Sequence, residues 1–335
     1  MDSITHIALG ALVGEAFLGK QLGKRAMAFG AVAQSIPDID FIASFLLDTP
    51  SNLLAHRGFT HSFLFAALMT LLLAWLASRH VSSDIPIKKW MVFIGIQILI
   101  HLLLDSLNAY GVGWLEPFSH KRISFNVIFV ADPFYSFWLG VSFLILLCMS
   151  RYNLYRKYWM ITGLTISSAY LIYAFANKYN INKNCKAMLQ NQSITYARYF
   201  STPTPLNNWL WYIVAEDKNG YHIGYRSVFD RKESISFHYF FRNDSLITSM
   251  LGNDNLQQLL RFSQGYYTVE QQNDTLLFND LRFGQQAGWY DPQAKFVFQY
   301  YLSHPTENSL LVQRGRFAHW NKATVLSLYE RIKGN

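Results

Sequence analysis

Apolar runs long enough to matter to a bilayer are confined to the first half of this chain. Trp90–Leu107, Phe134–Met149 and Tyr158–Ala176 are candidate spans, Phe63–Ser78 is a slightly short fourth, and no comparable run follows about residue 190. A helix needs roughly 20 apolar residues to cross a hydrocarbon core about 30 Å thick, so the shorter runs must borrow flanking residues or thin the membrane. Two earlier runs carry polar interruptions. Ile4–Gly19 holds His6 and Glu15, and Ala26–Leu47 holds Pro37, Asp38 and Asp40. Read as membrane helices with those groups facing a bundle interior, they bring the expected count to about six. A pair of buried soluble helices is the alternative on length alone. Only 15% of the residues are charged, against about 25% in a soluble globular protein.

The net charge of +8 is distributed in short clusters between the apolar runs: Lys20/Lys24/Arg25, Lys88/Lys89 and Arg151/Arg156/Lys157. A nucleic-acid binder would gather its basic residues on one stripe or tail, so membrane lipids rather than nucleic acid are the expected partner. The positive-inside rule puts the basic loops in the cytoplasm. Six crossings then leave both ends of the membrane half outside, and the remainder of the chain extracytoplasmic. Lys178, Lys183 and Lys186, just after the last span, run against that orientation. Met1-Asp-Ser3 lacks the basic start of a cleavable signal peptide. Cys148 lies within an apolar run and only Cys185 could join it, so a disulfide framework is not expected.

From about residue 190 the pattern changes. Tyr221–Phe229, Ser234–Phe241, Thr275–Phe283 and Lys295–Leu302 are rich in aromatic and β-branched residues, separated by Asp217-Lys-Asn-Gly220, Arg242-Asn-Asp244 and Gln272-Asn-Asp274. That is the signature of antiparallel strands and hairpins, with one short helix expected over Asn253–Phe262. The expected fold is an α-helical membrane bundle over residues 1–180 followed by a mostly β (α+β) soluble domain over 190–335. His222, His238, His304 and His319 lie in this second half without the spacing of metal ligands, and are expected to be scattered surface or core histidines.

Ionisable residues at membrane depth are costly and therefore mark function. His101 and Asp105 are four apart on one helical face, where they can share a cation or simply pair. Asp38 and Asp40 follow Pro37 and can both turn toward one cation, or cap a helix. His56-Arg-Gly-Phe-Thr-His-Ser62 supplies two imidazoles, an arginine suited to an anionic oxygen and a glycine for a tight bend, with Thr60 or Ser62 available as a cap. His6 stands near the start of the first helix, on which Gly10 and Gly14 have the small-xxx-small spacing of close packing. Asp132-Pro133 precedes a span and is a ligand, a supporting group or a cap. Lys121 and Arg122 are candidates for lipid or substrate phosphate, or interfacial anchors. Placed on the expected topology, all of these fall toward one side of the bilayer.

The set Met1-Asp-x-x-Thr-His6, Pro37-Asp-Ile-Asp40, His56-Arg-Gly-x-Thr-His-Ser62 and His101-x-x-x-Asp105 resembles the YdjM family of membrane-bound metal-dependent hydrolases. Tyr110-Gly111, Pro117-Phe-Ser119, Arg122 and Asp132-Pro133 fit the same pattern. The resemblance covers about residues 1–180 and implies an all-α domain in the bacterial inner membrane with a hydrolase-like metal centre. A more distant likeness, in order and type of residue, is to zinc-dependent phospholipase C. It implies His6, Asp38, His56, His61, His101 and Asp105 as ligands, with Asp40 either a ligand or the orienter of a histidine.

The expected function is a metal-dependent hydrolase with one to three divalent ions, zinc first among them. Asp40 or Asp105 would accept the proton of a water, Arg57 would assist catalysis, and Arg57 with Arg122 would bind substrate. A phosphoester or phospholipid near the outer membrane face is the expected substrate. The competing readings are an ion or metal transporter, whose ligands would lie at the bilayer midplane, and a membrane scaffold with a closed structural metal site.

Overall fold

The computed structural model describes residues 1–303 and 320–334; His304 and His319 lie outside them. The chain divides into two compact units, Met1–Leu46 with Ala55–Ala174, and Leu47–Leu54 with Phe175–Asn335.

The first unit opens with a helical hairpin. Helix α1 (Ser3–Leu22) starts at Asp2, whose carboxylate accepts the Thr5 amide at 2.9 Å, and stops at Gly23 with φ +58°. Helix α2 (Lys24–Ser35) returns against it. The small residues make this approach possible. A Cβ on Gly10 would lie 2.5 Å from the Gly30 carbonyl oxygen, and one on Gly14 would run into that of Ala26. The spacing of Gly10 and Gly14 thus has the packing role that sequence suggested.

Ala26–Leu47 is not one helix. Pro37 stops α2, because its ring removes an amide donor and disfavours the preceding helical turn, and a 3-10 helix takes over at Pro37–Phe45. A short helix α3 (Thr49–Ala55), assigned to the second unit up to Leu54, and a 3-10 turn Phe59–His61 follow. Ser62 then caps α4 (Phe63–His80) by accepting the Phe65 amide at 3.1 Å. Helices α5 (Ile87–Ser106), α6 (Pro133–Cys148) and α7 (Arg156–Asn191) complete the helical region. Among the described helices, α4, α5 and α7 are long and apolar enough to cross a membrane, and α6 is a shorter apolar helix. The apolar stretches of α4 and α7 are each only 17% buried by protein, as lipid-facing helices require. Helix α7 continues well past residue 176 and its last turns belong to the second unit.

Among the described residues the second unit holds two antiparallel meanders. One has the order β1 (Arg198–Pro203), β2 (Leu210–Glu216), β3 (Gly220–Ser227), β4 (His238–Phe241); the other has β5 (Tyr267–Gln272), β6 (Thr275–Gln285), β7 (Phe296–Tyr301). The turn between β2 and β3 is an Asx turn, in which Asp217 Oδ1 accepts the amides of Asn219 and Gly220, both at 2.9 Å. Helix α8 (Asp254–Phe262) matches the expected short helix, and α9 (Lys322–Ile332) lies near the C-terminus. Of the expected strand Ser234–Phe241, only His238–Phe241 pairs.

Candidate metal centre

Two chain breaks and the end of one helix bring the ionisable residues of the first unit together. The proline break after α2 turns Asp38 and Asp40 off the helix, the Gly58 turn presents His61, and the C-terminal turns of α5 carry His101 and Asp105. Asp38, His61, His101 and Asp105 each offer one ligand atom, and those atoms all lie within 4.8 Å of one another. His61 Nε2 is 3.1 Å from His101 Nε2, 3.3 Å from Asp105 Oδ2 and 3.7 Å from Asp38 Oδ1. His101 Nε2 is 3.5 Å from both Asp38 Oδ1 and Asp105 Oδ2. Tetrahedral zinc with bonds near 2.0–2.1 Å holds its ligand atoms about 3.3 Å apart, and these five separations bracket that value.

The protonation pattern argues for a cation more strongly than proximity does. His101 Nδ1 lies 2.5 Å from the Gln34 carbonyl oxygen, which can only accept, so the proton sits on Nδ1 and Nε2 keeps its lone pair. His61 Nδ1 faces Asp40 Oδ2 at 3.4 Å and the Thr60 hydroxyl at 3.0 Å, which fixes the same tautomer. Two imidazole lone pairs then point at each other across 3.1 Å. Asp105 Oδ2 beside them is buried, ion-paired with Arg57 Nε at 3.1 Å but without a well-aligned hydrogen bond. This donor set is repulsive by itself and complementary to a divalent ion. Burial, and then the neighbouring His101, hold the His61 imidazole well below its ordinary pKa.

The other sequence candidates surround this group. His6 is buried, its Nε2 is 3.2 Å from Asp105 Oδ1, and its ring stacks on His101 with centroids 3.8 Å apart. Asp40 accepts the Arg57 amide at 2.7 Å and lies 3.4 Å from both His61 Nδ1 and His56 Nδ1. It therefore stands one step behind the four-residue group, orienting His61 in the manner of a carboxylate–histidine–metal relay. His56 is at the rim, with its side chain 40% exposed. Arg57 is buried at φ +60°. Its Nε approaches Asp105 Oδ2 to 3.1 Å, its Nη1 donates to Asn108 Oδ1 at 2.9 Å and its Nη2 to the Met1 carbonyl at 3.3 Å. The Met1 amino group donates to Asp105. Arg122 donates to the carbonyls of His56 at 2.7 Å and Gly111 at 3.2 Å, so it braces the rim. Asp132 caps α6 through the amides of Phe134 and Tyr135 and accepts the Tyr170 hydroxyl at 2.9 Å. Its neighbour Ser136 reaches Thr5, next to His6, at 2.6 Å.

One supporting residue escaped the sequence reading: Asn108 anchors Arg57. Of the two candidate caps Ser62 takes that role, and Thr60 holds His61 instead. Asn108 stands three residues beyond Asp105, a spacing that could have drawn notice. In the second unit His222 pairs with Asp217 at 3.3 Å, and among the described residues no third ligand-type side chain joins them.

Within the four-residue group Asp38 alone has an appreciably exposed side chain, at 26%. The approach to the group is thus from the side of Asp38 and His56. The 3-10 helix beside it turns Asp40 inward and exposes Ile39, Phe41, Ile42 and Phe45.

The family model described as YdjM inner membrane protein matches residues 1–181. Inner membrane protein YbcI of Escherichia coli (strain K12) is 35% identical over 121 residues, which cover 36% of this chain and 69% of that protein. The protein YfhP of Bacillus subtilis (strain 168) is 31% identical over 141 residues, 40% of this chain and 42% of YfhP, so the chain spans less than half of that relative. No solved structure gives a significant match.

Proposed function

The chain belongs to the YdjM family of inner membrane proteins, and on that premise we propose that its first unit is a metal-dependent hydrolase acting on a phosphoester or lipid-like substrate at the outer face of the membrane. The observation that carries this reading is the pair of opposed Nε2 lone pairs of His61 and His101, closed by Asp38 and Asp105. Those four residues would hold the ion, with His6 beside them. A bound divalent ion, zinc by the ligand chemistry, supplies Lewis acidity and lowers the pKa of a water.

The protein's own groups do the rest. Asp40 keeps the His61 lone pair directed inward. Arg57 and Arg122, each held in place by its own partners, raise the local positive potential without reaching the opening, which suits an anionic substrate. Asp38 is the solvent-side carboxylate, so an approaching water meets it first, with Asp105 buried behind it. In the overall reaction the hydroxyl of water adds to phosphorus and its proton passes to the leaving oxygen. The exposed apolar side chains of the 3-10 helix support an opening near lipid headgroups and a substrate with an apolar part. On this reading the loops rich in Lys and Arg are cytoplasmic and the second unit is extracytoplasmic.

The test is hydrolysis of a panel of soluble phosphodiesters and phospholipid vesicles by zinc-loaded, detergent-purified protein. Wild type should cleave at least one member, and Asp38→Asn should cleave it at least about 100-fold more slowly. No cleavage across the panel by fully metal-loaded protein refutes the hydrolase reading.

A further inference from the structure

Between α5 and α6 the chain makes a closed loop that the proposed chemistry does not use. Val112 and Ile123 pair antiparallel at its base, each amide 2.9 Å from the other's carbonyl oxygen. Inside the loop the Leu115 carbonyl accepts the amides of Phe118 and Ser119 at 2.9 and 3.0 Å, and His120 pairs with Glu116 at 3.1 Å. The backbone is held, yet it turns apolar side chains outward: Leu115 is 53% exposed and Phe118 84%. Trp114 packs on Phe63 and Phe125, with ring centroids 5.2 and 5.9 Å away, so the apolar surface is continuous with two further half-exposed aromatic rings. Lys121 is exposed beside it. Contiguous exposed apolar surface with a polar edge marks an interaction surface.

Backbone hydrogen bonds fix where this loop lies. The Trp114 carbonyl accepts the amide of Phe63 at 3.0 Å, and Phe63 is the first residue of α4, a helix long and apolar enough to span the bilayer. The loop therefore sits at the level where α4 enters the membrane. Aromatic rings and a lysine are the residues that this boundary favours. The Gly113 amide donates to the Arg57 carbonyl at 2.8 Å, while the Arg57 amide donates to Asp40 of the 3-10 helix at 2.7 Å. Two exposed apolar elements thus meet at Arg57, next to the rim residue His56.

We propose that Trp114–Arg122 is an interfacial loop whose partner is the lipid surface. Leu115 and Phe118 enter the border of the acyl chains, Lys121 pairs with the phosphate of an anionic lipid, and the rim of the metal centre is held at that border. On the hydrolase reading, on which this last step rests, substrate reaches Asp38 from the lipid layer rather than from water.

The test attaches a nitroxide to Phe118→Cys in the full chain, on a Cys148→Ser background that leaves only the buried Cys185, in phosphatidylglycerol or phosphatidylcholine nanodiscs. Power saturation compares collisions with oxygen, which concentrates among acyl chains, and with a water-soluble nickel chelate. Oxygen should exceed the chelate at position 118, more strongly in phosphatidylglycerol, and Lys121→Gln should remove the difference between the lipids. An excess of chelate would put Phe118 in water, and few collisions with either would put it under protein; both results overturn the proposal, as does a lipid difference that survives Lys121→Gln. In parallel, Phe118→Ser with unchanged metal content should slow cleavage of vesicle phospholipid about tenfold and leave a soluble phosphodiester within about twofold of wild type. Equal effects on the two substrates would overturn the delivery step. Should wild type cleave neither, the hydrolase reading fails by itself, and the nitroxide depth still decides the loop.

Discussion

Asp40→Asn isolates the support behind the metal centre from the ligands themselves. The Asp40 carboxylate is 4% exposed, accepts from the Arg57 amide at 2.7 Å and the Thr60 hydroxyl at 3.3 Å, and faces the Nδ1 atoms of His61 and His56 at 3.4 Å. Asparagine preserves the shape and one oxygen but removes the charge that fixes the His61 tautomer. Loss of such an outer partner typically costs 10–100-fold in metal affinity, or about 1.4–2.7 kcal/mol. The hydrogen bonds to a charged acceptor contribute about 1.5–3 kcal/mol each at most, so the variant should still fold. The assay is competition between a zinc chelator and detergent-purified protein, with thermal melting of the metal-free form run in parallel. Affinity should fall within that range while the melting curve stays cooperative. An unchanged affinity, or a loss that appears only with unfolding, would refute the role assigned to Asp40.

Asp132→Ala should leave zinc affinity within about twofold of wild type and lower stability by about 1 kcal/mol through the α6 cap, as chelator competition and thermal melting would show. Gly10→Ala puts a methyl 2.5 Å from the Gly30 carbonyl and 2.6 Å from Gln34 Cβ, and should destabilise by about 1–3 kcal/mol in the same melting assay. The metal-free protein should lose stability in acid. His61 is neutral in the fold because burial lowers its pKa, so the unfolded chain takes up the proton first as pH drops below the ordinary imidazole value of about 6.5. Melting temperature should be flat above about pH 7 and decline below about 6.5.

The chemistry of the first unit was legible because the bilayer makes ionisable residues conspicuous. His101 and Asp105 stand out of an apolar run, and Pro37 announces that Asp38 and Asp40 leave the helix. Side-chain direction was not legible. Spacing cannot show that Arg57 turns back on Asp105 and Asn108, or that Asp40 looks at His61 from behind, because both depend on a φ of +60° at Arg57 and on the 3-10 geometry after Pro37. In the second unit the hairpin turns around Asp217–Gly220 and Gln272–Asp274 announced β3 and β6. Strand β2 did not announce itself, since every residue from Leu210 to Glu216 is buried and a strand buried on both faces shows no alternation. Strand β5 and the helix α9 carried no strong pattern either.

The account rests on His61, His101, Asp38 and Asp105 holding a divalent ion. The most direct measurement is the metal content of the purified full chain, by elemental analysis after growth with zinc, for wild type and His101→Ala. At least one ion per wild-type chain and its loss in the variant is the predicted result. Wild type without bound metal, or a variant that binds as much as wild type, would contradict it.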